Sequence, residues 1–243
     1  MANNYFITGA KGAGKSNLLA RLLQKLDLKT AGFAVRRINA ANGKPLLFEL
    51  RQAAELKEKG AEALKTKAAS DFSAAEMVRE DQAEAKRCQE TFELFKGAPE
   101  TLKLSAGADD SLNLLRYQKI FAYRENTAEK FRVKAEVFDN LGVELLNQNG
   151  ELIVMDELGR FELEAEKFQK EVFSLLASEK IVIGVIKAES NPFLDKIRQR
   201  DDIKIYKLEE YSKQQREEIP NKILENLKNN QANLLDRWQS LNI

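Results

Sequence analysis

The 243-residue sequence contains no histidine and a single cysteine, Cys88. Without histidine there is no Ser-His-Asp triad, no histidine-ligated zinc and no imidazole acid or base near neutral pH. One cysteine excludes an internal disulfide framework and any multi-cysteine metal site. No apolar run approaches the roughly 20 residues needed to span a bilayer, and the N-terminus leads directly into a strand with no signal-peptide pattern. A cytoplasmic chain with no membrane partner is the expectation. An overall basic field is also missing, with 39 Lys and Arg against 38 Asp and Glu, so nucleic acid is not expected as the partner. What remains for chemistry is carboxylates, lysine, arginine, backbone dipoles and a metal. With 43% hydrophobic and 32% charged residues, a chain of this length fits one large α/β domain, or a core with a modest insertion.

Against these absences stands one dense motif. Gly9-Ala10-Lys11-Gly12-Ala13-Gly14-Lys15-Ser16 spells GxxxxGKS, directly after the apolar run Tyr5-Phe6-Ile7 and before a leucine-rich helical segment. Glycines let successive backbone N–H groups turn onto β- and γ-phosphates, which the N-terminal end of the next helix also attracts. In this Walker A reading residues Gly9, Ala10, Lys11, Gly12, Ala13, Gly14, Lys15, Ser16 and Asn17 hold the nucleotide. Lys15 neutralises the β/γ oxygens and Ser16 holds Mg²⁺. The glycines also satisfy a GxxGxG spacing used by some dinucleotide folds. Lys15-Ser16, and the lack of a ribose-binding acid after the second strand, weigh against that alternative.

Leu18, Leu19, Leu22, Leu23 and Leu26 recur at spacings of three and four, which predicts one apolar helical face over about Lys15 to Leu26. Ala31 to Ile38 and Lys44 to Leu50 read as two strands joined by a turn at 39–43, a hairpin expected beside the strand that precedes the phosphate loop. From 51 to 130 the composition shifts to Ala, Glu, Lys and Gln. Ser73 and Glu76 are spaced as a capping box ahead of a helical run to Phe95, punctuated by Gly60 and Asp71. This reads as a charge-rich helical insertion within a single 1–243 domain, and as a candidate arm for a protein partner. Short strands are expected at 101–106 and 119–123, and a strand turning into a helix at 131–146. Glu164 to Ser178, Asn191 to Arg200 and Ser212 to Ile243 are expected as helices, alternating with strands at 181–186 and 203–208. Strand and helix alternate throughout, which predicts a mostly parallel sheet covered by helices on both faces.

Leu152-Ile153-Val154-Met155-Asp156-Glu157 completes the motif in Walker B form. Four apolar residues put Asp156 at the carboxyl end of a central strand, where open α/β sheets bind ligands. There it would reach Mg²⁺ through the ion's water shell, with Glu157 orienting or deprotonating the attacking water. Transition-state charge on the γ-phosphoryl group is often countered by an arginine. Arg160 is the best-placed candidate, ahead of Arg36, Arg37, Arg198 and Arg200.

Asp156-Glu157-Leu158-Gly159-Arg160-Phe161-Glu162-Leu163 resembles the DEIGKMEL segment of the small nucleoside-triphosphatase family within the P-loop NTPase superfamily. Ala31-Gly32-Phe33 is similar to that family's GF strand. Residues 181–186, followed by Asn191-Pro192-Phe193-Leu194 and Ile197-Arg198-Gln199-Arg200, are similar to its penultimate strand and helix. Lys204-Ile205-Tyr206 and Arg216-Glu217-Glu218-Ile219-Pro220 are similar to its ending. The likeness covers about 1–50 and 130–230 and fails across 51–130. It implies a RecA-like P-loop fold and slow, Mg²⁺-dependent hydrolysis of ATP, GTP and other triphosphates to diphosphate and phosphate. It carries over residues 9–16, Asp156 for the metal and Glu157 for water. Where the family has a Thr-x-Glu-Val-Arg type sequence this chain has Ala34-Val35-Arg36-Arg37, so a catalytic or base-contacting role of that strand does not transfer, while Arg160 replaces a lysine, which keeps the positive charge but changes its hydrogen-bond geometry.

Two other functions fit the motifs. One is a P-loop kinase passing the γ-phosphate to a nucleotide or small molecule under a lid that includes Arg198 and Arg200. Glu157 directly after Asp156 favours water as the acceptor instead. The other is a nucleotide-gated interaction protein in which slow hydrolysis resets a switch and the 51–130 helices dock a partner.

Overall fold

The computed structural model describes residues 3–26, 28–40, 42–57, 86, 90, 117–124 and 127–241. Gly60, Asp71, the Ser73/Glu76 capping box, Cys88, Phe95 and the expected strand at 101–106 lie outside the described residues, as does most of the expected 51–130 insertion. β1 (Asn4–Thr8) is buried along its whole length. It leads through the glycine loop into α1 (Lys15–Lys25), whose Leu18, Leu19, Leu22 and Leu23 are all buried on one face. Each such leucine contributes about 1.5–3 kcal/mol of burial.

β2 (Thr30–Asn39) and β3 (Pro45–Gln52) form the hairpin, followed among the described residues by β4 (Ile120–Tyr123) and β5 (Arg132–Val133). α2 (Ala135–Val137) runs through a π-helical turn, Phe138–Gly142, into α3 (Val143–Leu146). Then come β6 (Leu152–Leu158), α4 (Glu166–Leu176), β7 (Ile181–Ile186) and α5 (Pro192–Arg198). Asn191 caps α5 by accepting the Leu194 N–H at 2.9 Å, and Pro192 opens it, where a missing N–H does no harm. β8 (Ile203–Lys207), a 3-10 turn at Leu208–Glu210, α6 (Lys213–Glu217) and α7 (Ile219–Leu241) close the chain.

One eight-stranded sheet runs β5-β4-β3-β2-β6-β7-β1-β8. β8, β1, β7, β6 and β2 are mutually parallel, while β2 to β5 pair antiparallel. The outer hairpins therefore make the sheet mixed at one edge. The hairpin does not sit beside β1, contrary to the sequence expectation. β1 is flanked by β7 and β8, and β2 pairs with β6, two strands away. Strand neighbours are chosen by long-range burial, which local pattern does not record.

Alternation along the central strands feeds two cores. Tyr5 and Ile7, Leu152 and Val154, and Ile183 and Val185 pack with α1 and α7 on one face. Phe6, Ile153, Met155, Val182 and Ile186 pack with Phe138, Phe168 and Phe193 on the other. Strands buried on both faces read as the unbroken apolar runs seen in the sequence.

Gly32 in β2 has φ 97, and a Cβ there would lie 2.0 Å from the Val154 carbonyl oxygen of β6. The β2–β6 junction thus admits no side chain at this position. Gly32→Ala is expected to lower the unfolding free energy by about 2–5 kcal/mol from strained φ and overpacking together. Urea denaturation reads this, and an unchanged midpoint would contradict it.

Candidate functional site: a phosphate loop facing an acidic bulge

Gly14 precedes α1 in left-handed geometry, φ 87, and offers the helix no side-chain cap. The leading N–H groups of α1 are left to the loop, which suits an anion. Within the loop the Ala13 N–H donates to the Ala10 carbonyl at 3.2 Å. The Lys15 ammonium folds back to donate to the Gly9 and Ala10 carbonyls, each at 2.7 Å. Glu209, on the 3-10 turn after β8, accepts the Ala10 N–H at 2.7 Å and so ties the loop to the far edge strand. Burial lowers the pKa of Lys15, the neighbouring Lys187 charge lowers it further, and Glu157 and Glu209 oppose both.

Across β7 from the loop, the β6–β7 register shifts between Met155 and Leu158. Asp156 and Glu157 occupy this bulge, and Glu157 has φ 73, the one positive φ outside glycine among the described residues. A bulge re-aims side chains, and a positive φ at glutamate costs about 1–3 kcal/mol. Asp156 is 2% exposed, and the Ser16 hydroxyl donates to its Oδ1 at 3.4 Å. Burial pushes the Asp156 carboxyl up to about 7 and the Glu157 charge adds to this, while Ser16, Lys187 and Lys15 pull it back. The Glu157 carboxylate is paired through Oε1 with Arg37 of β2 at 3.3 Å and with Lys187, the residue following β7.

The chain after the bulge is pinned. Lys187 donates its N–H to the Leu158 carbonyl at 2.8 Å, and Asn191 Nδ2 donates to the Gly159 carbonyl at 3.3 Å. Glu162 folds back under the turn to accept the Gly159 N–H at 2.9 Å. Phe161 packs its ring 5.1 Å from Phe48 and 5.7 Å from both Phe121 and Phe131, which fastens the turn to the hairpin side of the sheet.

The loop, Ser16, Lys15, Asp156 and Glu157 are thus gathered at the carboxyl ends of β1 and β6, as the sequence suggested. Arg37 joins them through Glu157. Arg160 is exposed, with its guanidinium 5.3 Å from the Phe161 ring centroid. Arg36 lies 4.0 Å from Glu49. Arg198 bonds Asp195 and the carbonyls of Lys187 and Glu189, bracing the loop after β7. Arg200 donates to Asp202 and to the Leu176 carbonyl, at the end of the sheet where the strands begin.

Three residues had no role assigned from the sequence: Lys187, Glu162, which is quoted only as part of the family-like segment, and Glu209. Lys187 carried a usable signal, since it is the first polar residue after a buried parallel strand, as Asp156 nearly is. Glu162 and Glu209 carried none, because each acts through a backbone N–H brought to it by the fold.

No group of three or more His, Cys, Asp or Glu among the described residues could hold a metal. A cation here would rest on one or two protein oxygens with the balance from phosphate and water, which is how Mg²⁺ is commonly held. The buried Asp156 carboxylate beside the Ser16 hydroxyl is a hard-oxygen pair that fits it.

Glu162 is buried, and its carboxyl is raised from 4.5 to about 7 by burial; the Gly159 N–H opposes this and the Glu157 charge adds to it. An acid whose pKa is raised by folding binds more protons folded than unfolded between those two values. Its contribution to stability is full below about pH 4.5 and declines as pH rises through 7. From pH 5 to 8 the wild-type chain is expected to lose about 2 kcal/mol more unfolding free energy than Glu162→Gln. Equal slopes in urea titrations would contradict this.

A model of the NTPase family matches residues 96–224, more than half of the chain, including Asp156, Glu157 and Arg160. The chain is 38% identical over 106 residues to the nucleoside-triphosphatase THEP1 of Thermotoga maritima and 37% identical over 106 residues to that of Thermotoga sp. strain RQ2. Each match spans 42% of this chain and 59% of the relative. Among solved structures it is similar to THEP1 from the hyperthermophile Aquifex aeolicus, with TM-score 0.53 and 17% identity over 90% of this chain and 96% of that one. It is similar to a human cancer-related nucleoside triphosphatase at TM-score 0.53 and 16% identity, over 94% and 98% of the two chains. These likenesses agree with the strand order and the phosphate loop in giving a RecA-like α/β fold. On the match to its family model, the chain belongs to the NTPase family.

Proposed function

We propose that the chain is a Mg²⁺-dependent nucleoside-triphosphate phosphohydrolase. The observation that carries this reading is the contact of Ser16 Oγ with Asp156 Oδ1 at 3.4 Å, which joins the phosphate loop to the acidic bulge and leaves Glu157 beside both. Residues 9–17 hold the nucleotide, with backbone N–H groups of the loop other than those of Ala10 and Ala13 turned onto the β- and γ-phosphates. Lys15 leaves the Gly9 and Ala10 carbonyls for the β/γ oxygens. Ser16 and Asp156 would hold Mg²⁺, which when bound supplies charge neutralisation at the phosphates. Glu157 accepts a proton from water as the water oxygen bonds to the γ-phosphorus. The bond from that phosphorus to the β–γ bridging oxygen breaks, and the electron pair leaves with the diphosphate.

Arg160 reaches the γ-phosphoryl charge in this scheme only by leaving the Phe161 ring, so its part is as a mobile cation. Every contact is to phosphate, metal or water, which goes with acceptance of ATP, GTP and other triphosphates. Slow turnover goes with a Glu157 carboxylate already engaged by two cations. Among the described residues no helix is long and apolar enough to cross a membrane. The cytoplasm, where triphosphates and Mg²⁺ are plentiful, suits this work.

Glu157→Gln is expected to lower phosphate release from ATP and GTP about 10²–10⁴-fold while changing triphosphate affinity only a few-fold. Lys15→Ala is expected to weaken triphosphate binding at least about 10-fold. Phosphate release by Glu157→Gln at the wild-type rate would overturn the reading.

A further inference from the structure

We infer that Lys187 is a second phosphate-binding cation, which meets the γ-phosphoryl group of the bound triphosphate and in doing so releases Glu157 Oε1 to the attacking water. The inference rests on the phosphohydrolase reading and names a residue that reading does not use.

The first argument is topological. In an open α/β sheet the ligand crevice lies at the carboxyl ends of adjacent strands whose connections leave for opposite faces. β1 and β7 are such a pair. β1 continues into α1, packed in the core with Tyr5 and Ile7, whereas β7 continues into α5, whose Phe193, Leu194 and Ile197 belong to the opposite core. The residue standing at the end of β1 is the first of the phosphate loop. Lys187 is the residue standing at the end of β7.

The second argument is how firmly Lys187 is placed. Its N–H is bonded to the Leu158 carbonyl at 2.8 Å, and its own carbonyl accepts from Arg198, which also holds the Glu189 carbonyl at 2.9 Å. Its stem lies on Gly159, where an added Cβ would come within 3.0 Å of Lys187 Cγ. Main chain and stem are therefore held, and the ammonium, paired with Glu157 in this structure, is the part that can exchange its partner.

The third argument is charge. Lys15 stands in the loop after β1 and Lys187 at the end of the adjacent strand β7, with Glu157 as the anion paired to Lys187. Two ammonium groups converging from adjacent strand ends favour an anion carrying more charge than one carboxylate. A γ-phosphate is such an anion. Lysine suits the exchange, being a compact charge with three rotatable donors rather than a fixed fork. Arg37, 3.3 Å from the same Glu157 oxygen, keeps the carboxylate oriented after Lys187 has moved.

The test is to measure Lys187→Ala and Lys187→Arg alongside the wild-type chain in two assays. One is Mg²⁺-dependent phosphate release from ATP. The other is equilibrium binding of fluorescent ADP and of a fluorescent, hydrolysis-resistant ATP analogue. Lys187→Ala is expected to lower kcat about 10–100-fold and to reduce the preference for the triphosphate analogue over ADP about 10-fold, with Lys187→Arg recovering part of both. An unchanged preference, or equal weakening of both nucleotides, overturns the inference even if Glu157→Gln abolishes hydrolysis. If the wild-type chain releases no phosphate, the hydrolase reading fails by itself, and the binding preference still decides whether Lys187 meets a γ-phosphate.

Discussion

The buried charge of Asp156 is the constraint around which the site is organised. A carboxylate taken out of water with one hydroxyl for a partner is strongly disfavoured in its ionised form. Its pKa of about 7 records that penalty. The structure carries it because Ser16, Lys187 and Lys15 are brought into range, against the penalty set by the apolar cores that exclude water on either side. A dication placed between Asp156 and Ser16 would favour the ionised carboxylate, so the same feature that weighs on stability favours a metal-bound ligand.

The surrounding fold makes this arrangement rigid. β1, β7 and β6 are buried on both faces, with β1 and β7 paired in register to Ile7 and Val185 and β6 following β7 in register as far as Met155, so the strand ends that carry the site are held together. The bulge at Asp156 and Glu157 then does locally what a regular strand cannot, turning two consecutive acids toward the crevice. The positive φ at Glu157 persists because the turn beyond it is fixed by the Glu162 carboxyl, the Asn191 amide and the ring of Phe161 among Phe48, Phe121 and Phe131. Backbone strain held by a well-packed support is a recurring feature of functional sites.

How much of this was legible in the sequence depends on whether the cause was local. The glycine loop between an apolar strand and a leucine-striped helix is a local pattern, and β1, the loop and α1 lie where it placed them. The run ending in Asp156 is equally local, and β6 follows it. The place of the hairpin was misread because pairing of β2 with β6 rather than β1 is decided by packing between segments over 100 residues apart. The clamp on Glu157 was hidden for the same reason: Arg37 and Lys187 meet it only once β2 and β7 flank β6. Its left-handed backbone was hidden too, since glutamate carries no propensity for that region. Lys187 is locally legible too, as the polar residue directly after the buried run Ile181–Ile186.

The central claim is that water, not another acceptor, attacks the γ-phosphorus of a bound triphosphate. It is tested most directly by running a single turnover of ATP with Mg²⁺ in ¹⁸O-enriched water and weighing both products. One solvent oxygen in the released phosphate and none in the ADP is the predicted result. Solvent oxygen in the ADP, or a γ-phosphoryl group recovered on another molecule with no labelled phosphate, would contradict the account.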